Sequence, residues 1–120
     1  MVQTFLELVS IDSPSKRERL MADRLTQSLR EIGLDVLEDD AGSQIGGTCG
    51  NLFATWKTGD DLPPLLFCAH MDTVQPAKGK CAVLDPDGTI HSAGDTVLGA
   101  DDLSAITAIL EAIRTIKESG

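Results

Sequence analysis

Cysteine is scarce in this chain, and Cys49, Cys68 and Cys81 form an odd set with no CxxC spacing. That argues against both a disulfide framework and a thiolate zinc site, and reduced thiols follow. Basic residues are few as well: ten lysines and arginines against nineteen acids leave a formal charge of −9 at pH 7. Such a surface repels phosphate backbones and attracts cations, so neither a nucleic-acid nor a membrane partner is expected. No apolar run approaches the roughly 20 residues of a membrane-spanning helix. The opening Met1-Val2-Gln3-Thr4-Phe5-Leu6-Glu7 lacks the basic start and cleavage site of a signal peptide, so a cytoplasmic location is the expectation. There is no internal repeat or low-complexity tract. A Ser-hydrolase elbow, G-x-S-x-G, is absent. The glycine-rich Gly46-Gly47-Thr48-Cys49-Gly50 precedes a strand pattern rather than opening a helix, which argues against a nucleotide-binding loop.

What is present, 120 residues with 42% hydrophobic content, suits one domain with a single core. Val2, Phe5, Leu6 and Val9 predict a short helix over 2–9 that stops before Ser13-Pro14, because a residue preceding proline is pushed out of the α region. Ser15 and Glu18 have capping-box spacing. Helically spaced Leu20 or Met21, Leu25, Leu29 and Ile32 then predict a helix over 16–32, ending at Gly33. Alternation over 34–39 predicts a half-exposed strand, 42–50 a glycine-rich connection and 51–57 a second strand. Asp60 to Pro64 reads as a turn. Leu65-Leu66-Phe67-Cys68-Ala69 is apolar on both faces, the pattern of a buried central strand. A hairpin is expected where Asp85-Pro86-Asp87-Gly88 joins 82–84 to 89–91, and an apolar stripe from Leu103 to Ile116 predicts a helix over 101–117. The order implies an α/β fold with helices packed on a mixed, mostly parallel sheet. In such sheets ligands gather beyond the carboxyl ends of the strands, where His70 and Asp72 should fall.

Imidazole and carboxylate are ligands for cations such as Zn²⁺, and a metal-bound His commonly donates its other ring N–H to a carboxylate. Side chains two apart on an extended segment share a side, so Asp72 can lie beside His70 or join the metal shell. Asp101, at the start of the last helix, sits where backbone N–H groups favour an anion, and Gly99 lets the backbone approach closely. Each signal also has a plain reading: His-x-Asp arises by chance, and an Asp at a helix start is ordinarily a cap worth about 1 kcal/mol. Together they point to one crevice. His91 reads as an exposed strand residue, the cysteines as small core or loop residues, and Asp39-Asp40 as a solvated strand end. Glu111 and Glu118 read as a solvated and a frayed acid.

The string Cys68-Ala69-His70-Met71-Asp72-Thr73-Val74-Gln75-Pro76, then Asp87-Gly88-Thr89-Ile90 and Gly94-Asp95-Thr96-Val97-Leu98-Gly99-Ala100-Asp101-Asp102, resembles the di-zinc aminopeptidase and carboxypeptidase family in its peptidase T-like branch. Leu8 to Ser15 and Gly50-Asn51-Leu52 also look like that family's opening helices and strand. The resemblance implies that His70 is a ligand of one zinc, Asp72 the catalytic-site carboxylate that orients it, and Asp101 the carboxylate bridging two zinc ions, with cobalt or manganese as alternatives. Asp102 follows the bridging position. Leu103-Ser104-Ala105 departs from the Lys-Ala-Gly or Lys-Gly-Gly of many relatives, and Asp95 stands where small or hydroxyl residues are frequent.

The implied function is metal-dependent hydrolysis of peptide bonds in short peptides, of the tripeptide aminopeptidase kind. The family's general-base Glu, further carboxylate ligand, second His ligand and lid or dimerisation domain have no counterpart in residues 1–120. The chain is therefore expected to be the incomplete N-terminal part of a zinc-exopeptidase-like catalytic domain, inactive alone, with homodimerisation through an absent domain left open. Two alternatives stand beside this reading: a same-family deacylase of N-acyl amino acids, and a non-catalytic binding or assembly module retaining the fold.

Overall fold

The computed structural model describes residues 1–57, 59 and 63–119. Helices α1 (Val2–Val9), α2 (Arg19–Glu31) and α4 (Ala100–Ser119) carry the core, with a short α3 (Ala41–Ile45) inside the glycine-rich connection. Strands β1 (Asp35–Glu38) and β2 (Leu52–Thr55) form one pair, β3 (Ala82–Leu84) and β4 (Ile90–Ser92) another. The apolar stripes that predicted the three long helices meet one another. Leu8 and Val9 of α1, Met21 and Leu25 of α2, and Leu103, Ile106 and Leu110 of α4 form one buried cluster. Burying each such side chain stabilises the fold by about 1.5–3 kcal/mol, which fixes the helices relative to one another. Among the described residues no helix is long and apolar enough to cross a membrane.

The α/β expectation holds, but the strand pairing differs from a mostly parallel sheet. β1 and β2 are antiparallel, from Asp35↔Thr55 to Glu38↔Leu52, and so are β3 and β4, from Ala82↔Ser92 to Leu84↔Ile90. The parallel contact is a single bridge, Pro14↔Thr73. The segment 65–69, expected as a buried central strand, is neither paired nor covered among the described residues: Leu65 and Leu66 are 86% and 87% exposed. A run apolar on both faces needs strands beside it and layers above and below; its pattern records that need without supplying the neighbours. Of the turn expected at Asp60 to Pro64, Asp60, Asp61 and Leu62 lie outside the described residues.

Local details also differ. The capping box is not formed: α2 begins at Arg19, the Glu18 carboxylate accepts the Lys16 amide N–H, and the Ser15 hydroxyl donates elsewhere. Gly33 ends α2 as expected, with φ +88°, a conformation glycine adopts freely, and its N–H donates to the Arg30 carbonyl. Asp39 is no idle strand end, since its carboxylate accepts the Ala41 amide and both the amide and the side chain of Asn51. Glu111 is tied down rather than solvated: it accepts Thr4 Oγ1 at 3.0 Å and pairs with the N-terminal ammonium at 3.2 Å and with Arg114, joining α1 to α4. Cys68 and Cys81 are exposed and Cys49 is partly buried.

Arg19 grips Glu38 through two parallel bonds of 2.8 Å, fastening the start of α2 to the end of β1. The guanidinium, the Gly50 amide and the Arg19 charge hold the Glu38 carboxyl below its ordinary value of 4.5. A carboxyl lowered on folding stabilises the native state above its unfolded pKa, and that stabilisation is lost as pH falls through the lower folded value. Both side chains are partly exposed, so screening limits the pair to about 0.5–1 kcal/mol. Glu38→Gln should therefore lower the unfolding free energy from urea titration at pH 7 by an amount of that size. The wild-type advantage should shrink below pH 4.5; a difference that stays constant down to full protonation would show that the pair contributes nothing.

Candidate metal centre

Two segments converge on the imidazole of His70. One is the extended stretch 70–73, where Met71 packs against the buried cluster while His70 and Asp72 turn outward together, as an alternating backbone requires. The other is the start of α4. Asp101, with φ −91° and ψ 105°, and Asp102, with φ −116° and ψ 23°, are not yet helical, so the regular helix begins at Leu103 rather than at the doublet. Leu103 is completely buried, and this anchors the turn that carries Asp101.

His70 Nδ1 lies 3.1 Å from Asp72 Oδ1 and 3.0 Å from the Asp72 carbonyl, while Nε2 lies 3.1 Å from Asp101 Oδ1. The other Asp72 oxygen accepts the Ser15 hydroxyl at 2.5 Å. Ser15 is not at the cap position, because α2 begins at Arg19 with Glu18 before it; its hydroxyl instead makes a charge-assisted bond to the Asp72 carboxylate. Ser15, Asp72, His70 and Asp101 thus form one chain of contacts. The Asp101 side chain is 94% exposed, so its second oxygen faces outward. His70 and Asp72 also lie at the rim of an apolar cleft of about 1100 Å³ lined by Leu25, Leu52, Phe67, Ile106 and Ile113.

Desolvation lowers the His70 pKa, but the hydrogen bond to Asp101, the backbone bond to Asp72 and the charges of both acids outweigh it and raise the pKa above 6.5. The cause is plain: both ring nitrogens face oxygen acceptors, an arrangement that suits imidazolium. A cation seated between Nε2 and Asp101 would replace that proton. Two ligands each about 2.0–2.2 Å from a tetrahedral zinc stand about 3.3 Å apart, close to the spacing here, with Nδ1–H left to donate to Asp72. The donor pair fits two places of such a shell. Among the described residues no third His, Cys, Asp or Glu completes a group of three.

Of the residues singled out from sequence, His70, Asp72 and Asp101 are brought together. Asp102 is half-buried without a hydrogen-bond role of its own among the described residues, and His91 stands apart on β4, paired with Asp85 at 3.3 Å. Ser15 was read as a cap, and no spacing signal links it to Asp72 57 positions away. Because both acids favour the charged imidazole, Asp101→Asn and Asp72→Asn should each bring the His70 pKa down in an NMR titration of the metal-free chain. An unchanged midpoint in both variants would contradict the contacts.

No family model matches the chain. It is 39% identical over 118 residues to the uncharacterized protein YqjE of Bacillus subtilis strain 168, covering 98% of this chain and 32% of that protein. Two solved structures share its fold with a TM-score of 0.93 and 40% identity: a tripeptidase from Staphylococcus aureus subsp. aureus Mu50 and the aminopeptidase PepT from Bacillus cereus ATCC 10987. Each is covered over 32% of its length, so the chain spans about a third of the proteins it matches. Over 98% of its residues, this chain is similar in sequence and in fold to these two peptidases.

Proposed function

We propose that this chain supplies one histidine ligand and the bridging carboxylate of a zinc-dependent peptidase that acts on short peptides. The observation that carries the reading is the convergence of His70 Nε2 and Asp101 Oδ1 at 3.1 Å from segments 31 positions apart in sequence. The likeness to a tripeptidase and an aminopeptidase supports the substrate class. When bound, zinc supplies Lewis-acid polarisation of the scissile carbonyl. His70 would hold it through a deprotonated Nε2 and Asp101 through a carboxylate oxygen; Asp101 has one oxygen toward His70 and a side chain that is 94% exposed. Asp72 accepts Nδ1–H, fixes the tautomer and raises the basicity of Nε2, with Ser15 holding its far oxygen. Peptide hydrolysis also needs a base to move the proton to the leaving amine. With two donors and no third among the described residues, residues 1–120 would bind zinc weakly, and without an assigned base they are expected not to turn over.

Calorimetric zinc titration of the chain and of His70→Ala, Asp101→Ala and Asp72→Asn tests this. Loss of either ligand should abolish specific binding, and Asp72→Asn should weaken it about 10–100-fold, the usual cost of losing a partner behind a ligand. Equal binding by all four proteins would remove the metal assignment, and chelator-sensitive hydrolysis of a tripeptide by the wild-type chain would remove the assignment of inactivity.

A further inference from the structure

Lys80 is 4% exposed, a buried ammonium in a strongly acidic chain. It joins none of the ion pairs formed among the described residues. Burial pushes its pKa down, with the charge of Asp12 opposing. Its Nζ donates to Thr73 Oγ1 at 3.1 Å. Thr73 is 2% exposed, follows Asp72 directly, and its amide donates to the Ser13 carbonyl at 2.9 Å. On the opposite side stands Gly99, two residues before Asp101, with φ +82°. A Cβ there would lie 3.0 Å from Thr73 Cγ2 and 3.1 Å from Lys80 Nζ, so the Gly99 backbone packs closely on both, in a conformation that disfavours a side chain. A packing role alone would be met at less cost by Met or Leu, because a buried ammonium loses hydration that one hydroxyl only partly replaces.

We infer that Lys80 is a positioning residue for the His70–Asp101 pair: its ammonium, tied to Thr73 Oγ1, is wedged where the Thr73 and Gly99 turns meet, and it thereby holds the distance between the imidazole and the bridging carboxylate. The inference rests on the proposed metal reading for its purpose, but the spacing is a property of the metal-free chain. Lys80 touches neither ligand and acts through Thr73 and the Gly99 backbone.

The ¹⁵N chemical shifts of the two His70 ring nitrogens, recorded at fixed pH without metal, read that spacing directly. Lys80→Met, Thr73→Val and Gly99→Ala should each move the Nε2 resonance toward its position in Asp101→Asn, while Thr73→Ser, which keeps the hydroxyl, should match wild type. Unchanged Nε2 resonances in folded Lys80→Met and Gly99→Ala would overturn the inference. If circular dichroism shows Lys80→Met unfolded, the Thr73 pair decides: Val shifted with Ser unshifted supports it, and both matching wild type refutes it. Zinc affinity should fall about tenfold in Lys80→Met and Thr73→Val. Shifted resonances in a chain whose wild type binds no zinc would sink the metal reading and leave the positioning role standing.

Discussion

Burial of Leu103, Ile106 and Leu110 against α1 and α2 fixes where the first turn of α4 lies, and that turn carries Asp101. Met71, packed on the same cluster, does the equivalent for the segment that carries His70 and Asp72. The polar site is therefore an outgrowth of apolar packing. Two backbones anchored on one core present an imidazole and a carboxylate across a gap of 3.1 Å. Neither group needs to be buried for this to work: His70 is about half exposed and Asp101 almost wholly so. An exposed site keeps both groups solvated and leaves the second Asp101 oxygen accessible.

The electrostatics follow from that placement. A chain with a net charge of −9 attracts cations in general, but selectivity within it comes from geometry. His70 stands between two acids, with Asp72 behind Nδ1 and Asp101 before Nε2, so that the proposed cation would compete with a proton for Nε2. Ser15 extends the arrangement along the surface and Thr73 extends it inward. Ser15 holds the far oxygen of Asp72, and Thr73 links the next residue to Lys80 and to Ser13.

Local periodicity made α1, α2, α4 and the β3–β4 hairpin legible in the sequence, because each buries a face whose spacing is set by its own backbone. His70, Asp72 and Asp101 were legible for a related reason: two-residue alternation and a helix start are local facts, and the peptidase T-like pattern joined them. What stayed hidden depends on partners distant in sequence. The pattern of 65–69 shows two apolar faces but not whether strands lie beside them, and it is exposed here. Ser15 has capping spacing to Glu18, yet α2 begins only at Arg19 and the Ser15 hydroxyl donates to Asp72, 57 positions away. Glu111 looks like a solvated helix acid until Thr4 and the N-terminal ammonium are brought against it. Lys80 carries no sequence signal of burial, since the turns around Thr73 and Gly99 that pack on it are brought together only by the fold.

The central claim is that one cation can be held jointly by His70 and Asp101. A crystal of the chain soaked in zinc, with anomalous diffraction recorded at the zinc edge, tests it most directly. The account predicts a peak about 2.0–2.2 Å from both His70 Nε2 and an Asp101 oxygen. Zinc bound only at other residues, or a peak touching one of the two groups and not the other, would contradict it.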